Sequence, residues 1–97
     1  MTKADRIRYS KLTDIGCVLC RHLGTPGTPS EIHHLRDGQG MSQRAPNDQT
    51  IPLCAYHHRG PEGYHGMGKR AFEAVYKVTE RDLLGMTDRL INRGEAT

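Results

Sequence analysis

The chain has 97 residues, of which 35% are hydrophobic and 5% aromatic, and it carries a net charge of +3. A chain of this length buries only about 60–65% of its unfolded surface, so we expect a thin core that a bound metal ion would stabilise. The basic excess is compatible with phosphate binding but is common among soluble domains. The sequence has three cysteines, an odd number, and shows no signal peptide and no apolar run of the ~20 residues that span a membrane. We therefore expect a cytoplasmic protein with reduced cysteines and without a membrane partner.

Local patterns predict an α+β protein, with residues 1–97 in a single domain. Thr2 and Asp5 form a capping-box pattern that starts a helix over residues 2–13. Cys17 to Cys20 is expected to be a tight turn, followed by a Pro- and Gly-rich loop. Two short strands are predicted at residues 31–35 and 50–53, joined by a polar loop.

Helical patterns dominate the second half of the chain. A helical turn is expected around His57 and His58, and residues 60–63 interrupt it. Helix resumes near Gly66 and continues to about Val78. The final helix spans about residues 80–93, is capped by Thr79 and ends at Gly94, and its apolar positions are Leu83, Leu84, Leu90 and Ile91.

The cysteines fall in a spacing that is typical of zinc ligands. Cys17-x-x-Cys20 places two thiols on one turn, and Cys54-x-x-His57, which begins 34 residues after Cys20, repeats that spacing. Three thiolates and one imidazole make a closed tetrahedral set. We therefore expect a structural Zn²⁺ at Cys17, Cys20, Cys54 and His57. Ordinary buried thiols and a redox-active Cys-x-x-Cys pair are the two alternatives with the same sequence pattern.

Histidines are concentrated between Glu31 and His65, where five of the six lie. His33 and His34 are neighbours on a predicted strand, so their side chains should point to opposite faces. One of them is expected to bind metal and the other to act as a base. His58 and His65 would complete a three-imidazole site that leaves positions open for a phosphate oxygen and water.

These residues resemble the ββα-metal (HNH) endonuclease family. The resemblance rests on Glu31-Ile32-His33-His34 and on Leu53-Cys54-x-x-His57-His58, and it covers about residues 15–76. The chain is most similar to small phage and prophage members of the recombination-enhancement nuclease type. Those members also share a Gly-x-Gly-Met loop, which is residues 38–41 here.

The resemblance implies a hairpin-plus-helix core with flanking helices, DNA as substrate and a recruiting phage or recombination protein. It also implies that His33, His58 and His65 bind a catalytic Mg²⁺, Mn²⁺, Ni²⁺ or Zn²⁺ and that His34 activates water. Glu31 would orient a histidine, and Arg36 or Arg44 would bind the scissile phosphate. Lys69 and Arg70 are candidates for contact with the DNA backbone.

The chain departs from the family pattern in two places. The middle Asn of the motif falls at Gln49, next to Asn47 and Asp48, and we favour Asp48 as its replacement. His65 follows His58 by seven residues, so the helix must break or begin late for both to bind one ion. The alternative function is a zinc-stabilised nucleic-acid-binding module without activity, and dimerisation through the final helix stays open.

Overall fold

The computed structural model describes residues 1–40 and 43–93. The elements are α1 Lys3–Ile15, α2 Val18–His22, β1 Glu31–His34, β2 Thr50–Leu53, α3 Ala55–Arg59, α4 Tyr64–Met67, α5 Lys69–Tyr76 and α6 Glu80–Arg93. A two-stranded antiparallel hairpin with several helices confirms the predicted α+β class. Met41 of the glycine loop and the expected helix end at Gly94 lie outside the described residues.

The first helix starts as predicted and runs two residues further. The Thr2 hydroxyl accepts from the Asp5 amide, and the Asp5 carboxylate accepts from the Thr2 amide, which completes the capping box. Gly16 ends the helix with a φ of 73°, and a Cβ there would lie 2.8 Å from the Thr28 carbonyl oxygen. Only glycine fits this crossing. The expected turn at Cys17 is instead the N-cap of α2.

The hairpin sets which histidine faces the protein interior. Glu31 pairs with Leu53, and His33 pairs with Ile51. Because side chains alternate along a strand, His33 is buried with Ile51, whereas His34 points to the other face. Pro52 has no amide hydrogen, which a two-stranded sheet tolerates because each strand has a free edge.

The core lies between the hairpin and helices α2, α5 and α6, and its largest buried apolar side chains are Leu19, Leu35, Ile51, Leu53, Phe72 and Leu83. On α6, Leu90 is buried as predicted and Ile91 is partly buried against Ile15 of α1. The helix expected from Gly66 to Val78 is divided into α4 and α5 at Gly68, whose φ of 87° is incompatible with a continuous helix.

Arg8 joins three elements across the domain. Its Nε donates to the Thr50 hydroxyl at 2.9 Å, and Nη2 donates to the Thr50 carbonyl at 2.6 Å. Nη1 binds the Asp88 carboxylate of α6 at 3.0 Å. These contacts fix β2 between α1 and α6. None of the described helices is long and apolar enough to cross a membrane.

Candidate functional site

The three cysteines and His57 converge at the start of α2 and α3. The Cys20 sulfur lies 3.8 Å from that of Cys54 and 3.4 Å from His57 Nδ1, and the Cys54 sulfur lies 3.3 Å from the same nitrogen. Cys17 Sγ is 3.9 Å from it. A tetrahedral zinc with Zn–S of about 2.3 Å and Zn–N of about 2.0 Å would place its ligands roughly 3.5–3.8 Å apart. The donor set therefore fits a zinc ion.

All four residues of this cluster are buried. Burial raises the pKa of the Cys17 thiol to about 12 and lowers the pKa of His57. The Cys17 sulfur accepts a hydrogen bond from the Cys20 amide at 3.3 Å, a contact that favours a thiolate. A divalent cation would bind here with release of thiol protons.

A second group of potential ligands is formed by His33 of β1, His58 of α3 and His65 of α4. Their ligand atoms lie within 4.8 Å of one another, and their ring centroids are separated by 4.9–5.2 Å. Burial decreases from His33 through His58 to the exposed His65. The group is therefore closed on the protein side and open toward solvent.

Two glycines allow His65 to return to His58 across the seven-residue gap. A Cβ on Gly63 would lie 2.6 Å from the His57 carbonyl carbon, and one on Gly66 would lie 2.0 Å from the Gly60 carbonyl oxygen. Side chains at either position would collide with backbone. The loop after α3 can therefore fold tightly against that helix, and α4 begins late, at Tyr64.

His33 is positioned by Glu80, the first residue of α6. Its Nε2 donates to the Glu80 carboxylate at 2.5 Å, and the two side chains are 1% and 2% exposed. Within residues 1–40 and 43–93, only Arg21 Nε and His33 Nδ1 are buried side-chain polar atoms without a hydrogen-bond partner. A carboxylate on one ring nitrogen and an unpartnered second nitrogen is the usual state of a metal-binding histidine. The three-histidine group therefore fits a divalent cation.

Glu80 is held by more than this histidine. Its oxygens accept from the backbone amides of Arg36 and Asp37 at 2.8–3.1 Å and from the Tyr64 hydroxyl at 3.1 Å. Burial raises the pKa of Glu80, but the hydrogen bonds from His33 and the two amides outweigh it and lower the pKa overall. An ionised carboxylate is thus stable in the interior.

Glu80 is not predicted as a site residue from the sequence, because it lies 47 residues from His33. One signal was present in the local pattern. Thr79 and Asp82 already complete the cap of α6, with reciprocal hydrogen bonds of 2.9 and 3.0 Å. An additional acidic residue inside that turn has no capping role.

Glu31 lies against His58, the second histidine of the group. His58 Nδ1 donates to the Glu31 carboxylate at 2.8 Å, which leaves Nε2 with the free lone pair. Arg59 binds the same carboxylate at 2.8 Å. The hydrogen bonds from Arg59 and then His58 lower the pKa of Glu31 to about 2. The carboxylate is therefore ionised across the physiological pH range.

His34 lies on the opposite face of β1 from His33, in a different environment. Its Nε2 donates to the Asn47 side-chain oxygen at 3.0 Å, and the Tyr9 hydroxyl oxygen lies 3.3 Å from the same nitrogen. Asn47 in turn donates to Asp5 at 3.1 Å, which orients the amide. These contacts leave His34 Nδ1 as the basic nitrogen.

The residue that contacts His34 differs from the one expected from the sequence. Asp48, which we favoured for orienting this histidine, is exposed, and Asn47 occupies the position instead. The turn that precedes β2 directs the Asn47 side chain toward His34 of β1. The Thr50 hydroxyl, at the start of β2, donates to the Asn47 backbone carbonyl oxygen at 2.8 Å. Spacing alone did not resolve neighbouring residues in this turn.

The cationic residues predicted for phosphate binding lie in different settings. Arg36 donates a hydrogen bond to the Gln43 carbonyl oxygen at 2.6 Å. Arg36 also lies close enough to His65 to affect its pKa: burial lowers the pKa of His65, and the positive charge of Arg36 is among the nearby charges that lower it further. Arg44 is exposed and, with His34, Tyr9 and Asn47, lines a cavity of about 310 Å³. Lys69 is paired with Asp37 at 2.9 Å, whereas Arg70 is exposed.

The fold and the two donor groups define a small α+β protein with two candidate metal centres. The family model for recombination enhancement, RecA-dependent nuclease, matches residues 1–92, so the chain belongs to this family of nucleases. No curated protein and no solved structure matches the chain.

Proposed function

We propose that this nuclease is an HNH (ββα-metal) endonuclease that hydrolyses DNA phosphodiester bonds at the three-histidine group. The observation that supports this most directly is the state of His33: one nitrogen is bound by a buried carboxylate, and the other is buried without a partner. A nucleic-acid-binding module stabilised by the cysteine cluster alone would leave this arrangement without a role. The open side of the group, at His65, is where a phosphate would approach.

His33, His58 and His65 would hold the catalytic cation, and Glu80 and Glu31 keep two of these rings in the required tautomer. When bound, a divalent cation stabilises the negative charge that develops on the phosphate and on the leaving oxygen. The protein itself supplies the proton acceptor and the positioning of the substrate. Arg36 and Arg44 are the residues proposed to bind phosphate oxygens.

His34 is proposed as the general base. Asn47 fixes the proton on Nε2, so Nδ1 takes a proton from the attacking water while the water oxygen forms a bond to phosphorus. The P–O bond to the leaving sugar oxygen then breaks. Since His34 and His33 face opposite sides of β1, the scissile phosphate must lie at the end of this strand, where both sides can be reached.

The cysteine cluster is proposed to bind Zn²⁺ with a structural role. Its four donors leave no position for substrate, and all are buried. The ion would join the start of α2 to the end of β2 and the start of α3. This contribution compensates for the small core of a chain with few aromatic residues.

DNA is the proposed substrate, bound mainly through phosphates, so that sequence preference is slight. The family description adds a dependence on RecA, and we propose that a RecA filament recruits this chain to its substrate. Recruitment by a filament would allow a small domain with a net charge of +3 to act on DNA that it binds weakly by itself.

The decisive experiment is a cleavage assay on plasmid and branched DNA over Mg²⁺, Mn²⁺, Ni²⁺ and Zn²⁺, with and without RecA filaments. Wild-type protein is expected to nick or cut in the presence of at least one ion. His58→Ala should lose at least about 100-fold of the cleavage rate. Ser10→Ala, at an exposed residue of α1 outside both groups, is the control and should retain full activity.

Two results would contradict the proposal. Absence of cleavage by the wild-type protein under every condition would leave only DNA binding, which is the alternative function. Equal rates for His58→Ala and wild type would remove the three-histidine group from the reaction. Zinc content and circular dichroism of both variants would show that a loss of rate does not come from unfolding.

A further inference from the structure

A groove between α2 and α6 is not used by either metal centre. Its volume is about 190 Å³, and it has an apolar floor of Val18, Met86 and Leu90. Its rim consists of His22 and the three arginines Arg21, Arg89 and Arg93. Among residues 1–40 and 43–93, none of those that line the groove is acidic. The groove therefore presents positive charge around a surface suited to an apolar side chain.

Two of the arginines that line this groove, Arg21 and Arg89, differ in their partners from other arginines of the protein. Arg8, Arg59 and Arg81 each bind a carboxylate of the protein. In contrast, Arg21 and Arg89 form no ion pair within residues 1–40 and 43–93, and Arg21 donates only to the Ile15 carbonyl, at 3.4 Å. Two arginines at one groove, Arg21 and Arg89, that form no ion pair with the described part of the chain attract an anionic ligand.

The groove is separated from the three-histidine group. Glu80 and Arg89 are nine residues apart on α6, which corresponds to about 14 Å along a helix. The opposite wall is α2, which carries Cys20 of the cysteine cluster. A ligand in the groove would thus contact the structural part of the molecule and leave the open side of the histidine group accessible.

We propose that this groove docks an acidic segment of a protein partner that inserts an apolar side chain between its carboxylates. The apolar floor favours a peptide over a nucleic-acid backbone as the ligand. Phosphate and sugar groups are polar and gain little binding free energy from contact with Val18, Met86 and Leu90. An apolar side chain flanked by carboxylates satisfies both floor and rim. This inference extends the proposed function, with the RecA filament as the partner to be tested first.

The test uses Arg89→Glu, because Arg89 is exposed and lies outside both metal centres. Lys3→Glu, at an exposed lysine of α1 outside the groove, makes the same change in net charge and is the matched control. One measurement is fluorescence anisotropy with a labelled peptide that has a central leucine–phenylalanine pair flanked by glutamates. The other is cleavage with and without RecA filaments.

Wild type and Lys3→Glu are expected to bind this peptide, and Arg89→Glu should bind about tenfold more weakly. Replacing the glutamates by glutamines, or the apolar pair by alanines, should weaken binding to a similar extent. Arg89→Glu should also lose about tenfold of filament-dependent cleavage while cleavage without filament is unchanged. If wild type shows no cleavage at all, the proposed function fails, but the peptide measurement still decides the docking surface.

Three outcomes would overturn the docking proposal. Failure of wild type to bind the peptide would remove its stated ligand. An equal loss of cleavage with and without filament in Arg89→Glu would assign the groove to DNA. A change from dimer to monomer in sedimentation of Arg89→Glu would assign it to a second copy of the chain.

Discussion

The two groups of donors in this small protein differ in composition, burial and support. The cysteine cluster consists of three sulfurs and one nitrogen, all buried, and its members belong to adjoining ends of α2, β2 and α3. The histidine group consists of three imidazoles whose burial decreases toward solvent, with carboxylates behind two of them. A closed set of donors can only stabilise the fold, whereas an open set can take a substrate oxygen. Adjacent residues, His57 and His58, divide between the two.

The largest effect is expected from breaking the closed cluster. Cys17→Ser and His57→Ala should each lose zinc and unfold at room temperature, since zinc contributes about 10–16 kcal/mol in small zinc modules, comparable to the whole stability of a domain. Circular dichroism and zinc analysis provide the measurement. The control is His58→Ala, which should keep both zinc at the cysteine cluster and the folded spectrum. Retention of fold and zinc by Cys17→Ser would contradict the structural role.

The next largest effect concerns His34, which belongs to neither donor group. His34→Ala should reduce the rate of DNA cleavage by about 10²–10⁴-fold, the range for loss of a general base. Zinc content and thermal stability should stay close to those of wild type, because His34 is only partly buried. An unchanged cleavage rate would show that the face of β1 opposite to His33 takes no part in the reaction.

Glu80 tests how the open group is supported. Glu80→Gln should lower metal affinity or cleavage by about 10–100-fold, since carboxylates behind metal-binding histidines have effects of this size. Glu31→Gln should have a smaller effect, because Glu31 is 35% exposed and water can replace its contact to His58. Isothermal titration with Mn²⁺ and cleavage rates would measure both. A larger effect for Glu31 would reverse the order of support proposed here.

The smallest effect separates two neighbouring residues. Asn47→Ala removes the hydrogen bond to His34 and should lower cleavage by up to about tenfold, consistent with a single contact of about 1 kcal/mol. Asp48→Ala should have no measurable effect, because that side chain is exposed. Parallel rate measurements at one metal concentration are sufficient. A loss restricted to Asp48→Ala would restore the original expectation for this turn.

The parts of the molecule that sequence predicted well depend on local spacing. The spacings Cys17-x-x-Cys20 and Cys54-x-x-His57 predict the cysteine cluster. The alternation of side chains along β1 places His33 and His34 on opposite faces. The strand over residues 50–53 and the capped starts of α1 and α6 also follow from short patterns. In each case the chain between the residues is short enough for geometry to follow from covalent structure.

The features that sequence did not predict depend on distant or subtle backbone geometry. Glu80 reaches His33 only through the packing of α6 against the hairpin. The local pattern marks Glu80 as an acidic residue without a capping role but does not identify His33 as its partner. The choice of Asn47 over Asp48 depends on the dihedral angles of one turn. The expected helix is divided at Gly68 because this glycine has a positive φ. Glycine at any position can adopt such a φ, so the sequence does not show which glycine will interrupt a helix.

Glu80, the first residue of α6, lies outside the stretch of sequence that contains the histidine and cysteine motifs. The HNH-like motif residues read from the sequence end near Tyr76. The carboxylate that holds the most deeply buried histidine comes from beyond that point, although still within residues 1–92 that the family model matches. A chain shortened to the hairpin and its following helices would keep every residue of the recognisable pattern and lose the anchor behind it. Transplanting this centre into another scaffold therefore requires the terminal helix as well.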